Sequence, residues 1–114
     1  MGTIRLMSTG RPNAVGEAGR AYGTKHAARA ALRLMELPSQ QMTAVSSAIG
    51  RATRASTIFL VRDLNGDVTV RIVRRGRNGY QVMESHVSAD GTKIVVQMAY
   101  DSSGTLVHYD PKLL

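Results

Sequence analysis

The second half of the chain alternates between apolar and polar residues with a period of two. In one segment Val68, Val70 and Ile72 occupy every other position, and the neighbouring segments are of similar length. Pairs such as Asn65-Gly66, typical of tight turns, separate these segments. Such alternation predicts β-strands, and turns this short join neighbouring strands in antiparallel order. We therefore predict a four- to five-stranded antiparallel meander with strands over residues 57–63, 67–75, 80–87, 93–100 and 105–110, the last one stopped by Pro111.

The part of the chain before this sheet has helical periodicity. Ala21, Ala28 and Leu32 fall on one face of a helix predicted within residues 21–37, and Thr24 is a candidate N-cap that would start it at Lys25. Leu37-Pro38-Ser39 then interrupts the helical pattern. The apolar positions of a second predicted helix are Met42, Val45, Ile49 and Ala52.

The order of these elements defines the expected domain. Residues 1–20 are rich in glycine and small residues, which predicts a flexible arm or residues appended for expression, apart from a short strand at residues 3–7. Residues 21–114 then form a single domain. The fold class is α+β, with two N-terminal helices packed on one face of the meander sheet.

Composition narrows the range of partners. The 114 residues carry 15 Lys plus Arg against 8 Asp plus Glu, a net charge of +7, and arginine outnumbers lysine 12 to 3. This balance favours a phosphate polymer, an anionic membrane surface or an acidic protein as the partner, and the guanidinium fork suits phosphate best. The sequence has no cysteine, so disulfides, thiol nucleophiles and thiolate metal sites are excluded. No apolar run approaches the length of a membrane span.

Candidate chemistry lies on the face of the sheet that the helices leave open. Thr69, Arg71 and Arg75 oppose the apolar set of their strand and are expected on that face. Glu84 and His86 share one face of the next strand, but neither face of that strand is cleanly apolar, so its orientation stays open. If the pair faces outward, Glu84 is a candidate base, His86 a candidate acid and Arg71 a candidate phosphate clamp for metal-free RNA cleavage. The alternative is a solvated Glu-His pair on an exposed strand.

A second candidate acid-base group is His26, in the first turn of the first predicted helix. There it could act as a neutral base while Lys25 and Arg29 hold phosphate, or it could be an ordinary surface histidine. The remaining candidate substrate contacts are Arg75, Tyr100 and His108. Tyr100 could form hydrogen bonds or stack on a base, and the alternative for His108 is an ordinary residue of an edge strand.

Motifs for other chemistries are missing from the sequence. The histidines are scattered without metal-ligand spacing, and neither a glycine-rich phosphate loop nor a nucleophile elbow occurs. We therefore predict an activity that uses no metal and no cofactor.

Two segments carry a resemblance to known proteins. Gly23-Thr24-Lys25-His26-Ala27-Ala28-Arg29 and the stretch from Tyr100 to Lys112, Tyr-Asp-Ser-Ser-Gly-Thr-Leu-Val-His-Tyr-Asp-Pro-Lys, resemble the C-terminal toxin domains of bacterial polymorphic and contact-dependent growth inhibition toxins. As a pattern, residues 20–112 are similar to the ribonuclease fold shared by barnase, EndoU, tRNA-cleaving colicins and RelE.

This resemblance implies a metal-independent ribonuclease toxin that cleaves RNA, with tRNA as the expected substrate, by general acid-base transesterification. It further implies secretion or surface delivery by a producing bacterium, action in the cytoplasm of the target cell, and an acidic cognate immunity protein. The residues to which catalysis would be carried over are His26, Arg71, Glu84 and His86. Two alternatives stay open: a non-catalytic basic nucleic-acid-binding module, and a RelE-like ribosome-dependent toxin or a phage-encoded interaction protein.

Overall fold

The structure, a computed structural model, describes residues 20–113, with side chains as far as Pro111. It has the α+β architecture expected from the sequence, with both helices before the main part of the sheet. In chain order the elements are β1 (Arg20–Tyr22), α1 (Lys25–Arg33), α2 (Ser39–Ile49), β2 (Ser56–Arg62), β3 (Val68–Gly76), β4 (Gly79–Val87), β5 (Lys93–Asp101) and β6 (Leu106–Leu113).

The described strands form one six-stranded sheet in sequence order from β1 to β6, with every neighbouring pair antiparallel. The expected meander is therefore present, but the expected count of four to five strands is wrong. The additional strand is β1, which contains Ala21, a residue predicted to be helical. Its three residues pair with β2 from Arg20↔Leu60 to Tyr22↔Ile58 and are too few to carry a period of two. The arm and short strand predicted before Arg20 lie outside the described residues.

The strand β6 also departs from the prediction, because it passes through Pro111 and ends at Leu113. Pro111 lies opposite Val96, and in the described sheet β6 has a neighbour on one side only. Edge strands tolerate proline because its missing N–H need not join a ladder. A register shift between Ala99 and Tyr100 breaks the regular pairing of β5 with β6.

The first helix begins where its N-cap predicts. The Thr24 side chain accepts a hydrogen bond from the Ala27 backbone N–H at 3.0 Å, and α1 starts at Lys25. Ala28 and Leu32 of α1 and Val45 and Ile49 of α2 are buried against β2 and β3, where they form the main apolar core. No helix within residues 20–113 combines the length and apolar character that crossing a bilayer would need.

A second, smaller apolar cluster lies on the other face of the sheet. It contains Val82, Val96, Met98 and Tyr100, with Tyr80 packed against it. Side chains alternate between the faces of a strand, so these residues point away from the helices, on the side opposite Val70 and its neighbours. The middle of the sheet face that the helices do not cover is therefore occupied by closely packed apolar side chains.

Candidate functional site

Strand register brings four of the polar residues named above together. Arg71 lies directly opposite Glu84, and Thr69 lies opposite His86. All four side chains point away from the helices, because they alternate with Val70 and its neighbours in the main core. This resolves the orientation of β4 that the apolar pattern had left open.

The four side chains form a continuous polar network. Arg71 Nη1 makes an ion pair with Glu84 Oε2. The other carboxylate oxygen, Glu84 Oε1, lies 3.2 Å from His86 Nε2, and His86 Nδ1 lies 3.0 Å from the Thr69 hydroxyl. Each end of the network thus has a partner that fixes it, Arg71 for the carboxylate and Thr69 for the imidazole.

The network is buried, contrary to the expectation of an open face. The side chains of Arg71 and Glu84 are 1% and 0% exposed, while that of His86 is 11% exposed. Burying charged groups costs free energy that a partner must offset, and ion pairs in protein interiors rarely gain more than an apolar replacement would. Of these three side chains, the His86 imidazole is therefore the one that solvent reaches most.

The facing atoms of Glu84 and His86 make no hydrogen bond. Glu84 Oε1 and His86 Nε2 are both buried and, although 3.2 Å apart, are not aligned as donor and acceptor. Buried polar atoms are nearly always hydrogen bonded, and exceptions call for an explanation. A carboxylate oxygen and an imidazole nitrogen that face each other unbonded are the two atom types that general acid-base chemistry uses.

Tyr100 borders the network from β5. Its ring stacks on Tyr80 with a centroid distance of 4.9 Å, and its hydroxyl donates to Met98 Sδ at 3.6 Å. Burial raises the pKa of the Tyr100 phenol, and the charge of the nearby Arg71 partly offsets that effect. Tyr100 is therefore a packed neighbour of the ion pair, and its ring face is occupied by Tyr80.

Asp63, just after β2, adds a carboxylate near the histidine. Burial raises the pKa of Asp63, the charge of Asp67 raises it further, and the charge of His86 lowers it. Its Oδ1 atom is buried without a hydrogen-bond partner. Asp63 is therefore a second acidic residue within electrostatic range of His86.

The second candidate set lies on the helix layer. His26 and Lys25 are exposed in the first turn of α1, which packs on the opposite side of the sheet from Glu84. Arg29 donates from Nη2 to the Ser46 carbonyl oxygen at 3.1 Å and so joins the two helices. The sheet therefore separates His26 from Arg71.

The remaining candidates are exposed but lie apart. Arg75 shares the network's face of β3 near its end, opposite Tyr80. His108 lies on β6 opposite Ala99, on the helix side of the sheet. The structure thus brings Arg71, Glu84 and His86 together with Tyr100 beside them, whereas Arg75 lies on the same face but further along β3.

Thr69 is the network residue for which no role was predicted. Its position beside His86 could have been predicted, since the two-residue turn between Gly76 and Gly79 fixes the β3–β4 register and places Thr69 opposite His86. Within residues 20–113, no group of three or more histidine and acidic side chains has the arrangement of a metal site.

No protein-family model, curated protein or solved structure matches this chain.

Proposed function

We propose that the domain is a metal-independent endoribonuclease whose acid-base pair is Glu84 and His86. The observation that carries the proposal is the pair of buried, unbonded atoms Glu84 Oε1 and His86 Nε2, 3.2 Å apart. Structural ion pairs normally have their polar atoms hydrogen bonded, whereas an acid-base pair keeps its two reacting atoms free of other hydrogen bonds.

In this proposal the reaction is a transesterification at an RNA phosphodiester. Glu84 Oε1 accepts the proton of the ribose 2′-hydroxyl, and the 2′-oxygen forms a bond to phosphorus. The bond from phosphorus to the 5′-oxygen breaks, and His86 Nε2 donates its proton to that oxygen. The products are a 2′,3′-cyclic phosphate and a 5′-hydroxyl. A proton transfer from Glu84 to His86 across 3.2 Å then restores the starting state.

The other members of the network position this pair. Arg71 holds the carboxylate through Oε2, which leaves Oε1 for chemistry. Thr69 holds the imidazole through Nδ1, which leaves Nε2 facing the carboxylate. RNA would reach the pair from the partly exposed edge of His86, and Arg75, further along β3, is an exposed cation on the same face.

The biological setting that we propose is that of a toxin. A domain with a net charge of +7 would meet RNA, with tRNA as the proposed substrate, in the cytoplasm of a target cell after delivery by a competing bacterium. An acidic immunity protein would inhibit it in the producing cell, because opposite charges speed the encounter of the two proteins.

One further observation favours a second candidate function. Arg71 and Glu84 are at most 1% exposed, as in a structural ion pair. With such a role the domain would be a basic module that binds nucleic acid without cleaving it.

One assay separates the two functions. Purified protein is incubated with total tRNA in EDTA, and the products are tested for 2′,3′-cyclic phosphate ends. We expect cleavage in wild type and in the control variant His26→Ala, but a rate lower by about two to four orders of magnitude in His86→Ala. Free imidazole should restore part of the His86→Ala rate. Binding of tRNA without cleavage would favour the binding module, and cleavage that requires ribosomes would favour the RelE-like alternative.

A further inference from the structure

A groove of about 330 Å³ crosses the helix side of the sheet, on the face opposite the polar network. Its walls come from the segment that follows α2 and the start of β2 on one side and from β3 to β6 on the other, with Arg51, Arg74 and His108 around it. The helices cover β2, part of β3 and the Val87 end of β4, so the helix side of the sheet around Met83 and Ala99 is left open. Its volume is at the lower end of the range of about 300–1,000 Å³ typical of small-ligand sites.

The charge of the groove has one sign. Arg51 and Arg74 are exposed cations, and among the described residues no acidic side chain lines the groove. Asp110 lies opposite Gln97 in the sheet register but is not part of the lining. Two guanidinium groups at one concave site are the usual protein partners of a phosphate.

The Arg74 guanidinium is held in place. It donates from Nη2 to Gln81 Oε1 at 3.0 Å, across the β3–β4 pair. The amide nitrogen of Gln81 then remains available as a donor. Gln97, on β5, adds a second amide to the lining, so the groove has two groups that can donate and accept hydrogen bonds next to its cations.

The floor of the groove is apolar. Ile72, Met83 and Ala99 form it, and Met83 supplies a flexible thioether that can pack against an aromatic ring. A bare inorganic anion would leave this floor unused, whereas a ligand with a phosphate and a flat ring would use both parts. Mononucleotides combine these features in a molecule of suitable size.

We propose that this groove binds a nucleotide, with its phosphate at Arg51 and Arg74 and its base over the apolar floor between Gln81 and Gln97. The sheet separates it from Glu84 and His86, so this site is independent of the proposed cleavage site. The nucleotide has two sources, a free mononucleotide or one nucleotide of an RNA strand.

Adjacent arginines of β3 give a matched test. Arg74 and Arg75 are both exposed and differ in which face of the sheet they point to. The full chain, ¹⁵N-labelled, is titrated with adenosine 5′-monophosphate, and the shifts of the Gln81, Met83 and Gln97 amides are followed by NMR. Arg74→Ala should weaken binding about tenfold, while Arg75→Ala should change it less than about twofold. Arg74→Lys should recover only part of the loss, because lysine lacks the guanidinium fork.

Adenosine and inorganic phosphate complete the titration. Adenosine should bind at least about tenfold more weakly than the monophosphate, and phosphate alone should shift the amides nearest Arg74. The proposal is overturned if adenosine binds as well as the monophosphate, if Arg75→Ala weakens binding as much as Arg74→Ala, or if no amide shifts at about 10 mM ligand.

An uncleavable oligonucleotide identifies the source of the nucleotide. A 2′-O-methyl trinucleotide lacks the nucleophile for transesterification, so the proposed nuclease activity does not interfere with its titration. Binding about tenfold tighter than the monophosphate, lost in Arg74→Ala, supports the site as an RNA contact. Equal affinity supports a free mononucleotide. His86→Ala should leave the shifts of the Gln81 and Gln97 amides with the monophosphate unchanged, and a loss of those shifts in that variant would contradict the independence of the two sites.

Discussion

At the residue scale, the central feature is a buried carboxylate with two different neighbours. Glu84 makes an ion pair with Arg71 through one oxygen and faces His86 through the other. Because the first contact neutralises the carboxylate, Arg71 allows Glu84 to stay in the protein interior beside the imidazole. Glu84 thus has a structural role with Arg71 and a proposed catalytic role with His86.

Removing one partner of this ion pair should be costly. Arg71→Met should lower the free energy of unfolding by about 3–5 kcal/mol, because it leaves the Glu84 charge buried without its cation. The double variant Arg71→Met, Glu84→Leu should recover much of that loss. Chemical denaturation measures the free energy of unfolding of the wild type, Arg71→Met and the double variant. Arg75→Met is the control at an exposed arginine of the same strand face. A cost no larger than that of Arg75→Met would contradict the burial described here.

A second residue-scale prediction concerns Asp101, in the turn between β5 and β6. Its Oδ1 accepts hydrogen bonds from the Ser103 hydroxyl at 2.6 Å and from the Thr105 backbone N–H at 2.9 Å. Hydrogen bonds from Ser103 and Thr105 lower the pKa of Asp101 below its ordinary value of 3.8. A lowered pKa in the folded state stabilises the protein above the unfolded value, and that contribution is lost as the pH falls through the folded value.

Asp101→Ala should therefore lower Tm near neutral pH, and the difference from wild type should shrink as the pH falls below the ordinary value of 3.8. Thermal unfolding monitored by circular dichroism over that range checks this expectation. Ser102→Ala, in the same turn, is the control and should show no such pH dependence. A Tm difference that stays constant into acid would show that the carboxylate charge contributes nothing.

At the element scale, hairpin geometry determines what meets across the sheet. The turn between Gly76 and Gly79 sets Arg71 opposite Glu84 five residue pairs away. A slip by one residue would move Glu84 to the helix face, where a charge would meet the main core. The turn therefore determines which residues meet at the site, although it lies five residue pairs away along the two strands.

Gly79→Ala tests this dependence. Gly79 has a φ of 144°, and a Cβ there would lie 1.9 Å from the Tyr100 carbonyl oxygen, which belongs to the backbone and has little room to move. We expect a loss of at least about 3 kcal/mol in the free energy of unfolding. Gly76→Ala is the matched control, because the nearest atom to its Cβ would be 3.6 Å away. Denaturation curves of equal midpoint for the two variants would contradict the crowding at Gly79.

Much of the sheet could be predicted because its turns have strong local signals. Pairs such as Asn65-Gly66 marked the hairpins, and the predicted strand ends of β2 to β5 fall within one residue of the observed ones. The strand β1 could not be predicted, because three residues show no periodicity and pair with β2 through contacts distant in sequence. The predicted end of β6 before Pro111 was wrong because a proline stops an interior strand, whereas β6 is at the edge of the described sheet.

The candidate site could be predicted in part for the same reason. Hairpin register identifies Arg71, Glu84 and His86 as neighbours, but their burial depends on how Val82, Met98 and Tyr100 pack around the strands. The alternation of apolar and polar residues along a strand does not reveal such packing. Gln41 shows the same limit: its side chain is buried in α2 and donates to the carbonyl oxygens of Gly66 at 2.9 Å and Val87 at 3.1 Å. A polar residue at such a position has no sequence signal that separates it from an exposed one.

At the scale of the whole molecule, charge and chemistry have different distributions. The net charge of +7 is spread over exposed arginines on both faces and in the turns, including Arg33, Arg54, Arg74 and Arg77. The proposed chemistry is instead confined to one buried network. Affinity for RNA and cleavage of RNA should therefore respond to different substitutions.

Binding of RNA should weaken steeply with salt, because arginines that contact phosphates release condensed counterions. With about four such contacts, Kd should rise about 50-fold between about 50 mM and about 200 mM salt. Fluorescence anisotropy with a 2′-O-methyl RNA, which cannot be cleaved by transesterification, measures this slope. A Kd that hardly changes over that range would contradict a role for the net charge of +7 in binding.

The most direct test of the account is single-turnover cleavage of RNA in EDTA by wild type, Glu84→Gln, His86→Ala and His26→Ala, with Kd measured for each protein. If Glu84 and His86 are the acid-base pair, their variants should cleave about two to four orders of magnitude more slowly with little change in Kd, while His26→Ala should match wild type. Wild-type rates in both Glu84→Gln and His86→Ala, or a loss of cleavage confined to His26→Ala, would contradict the account.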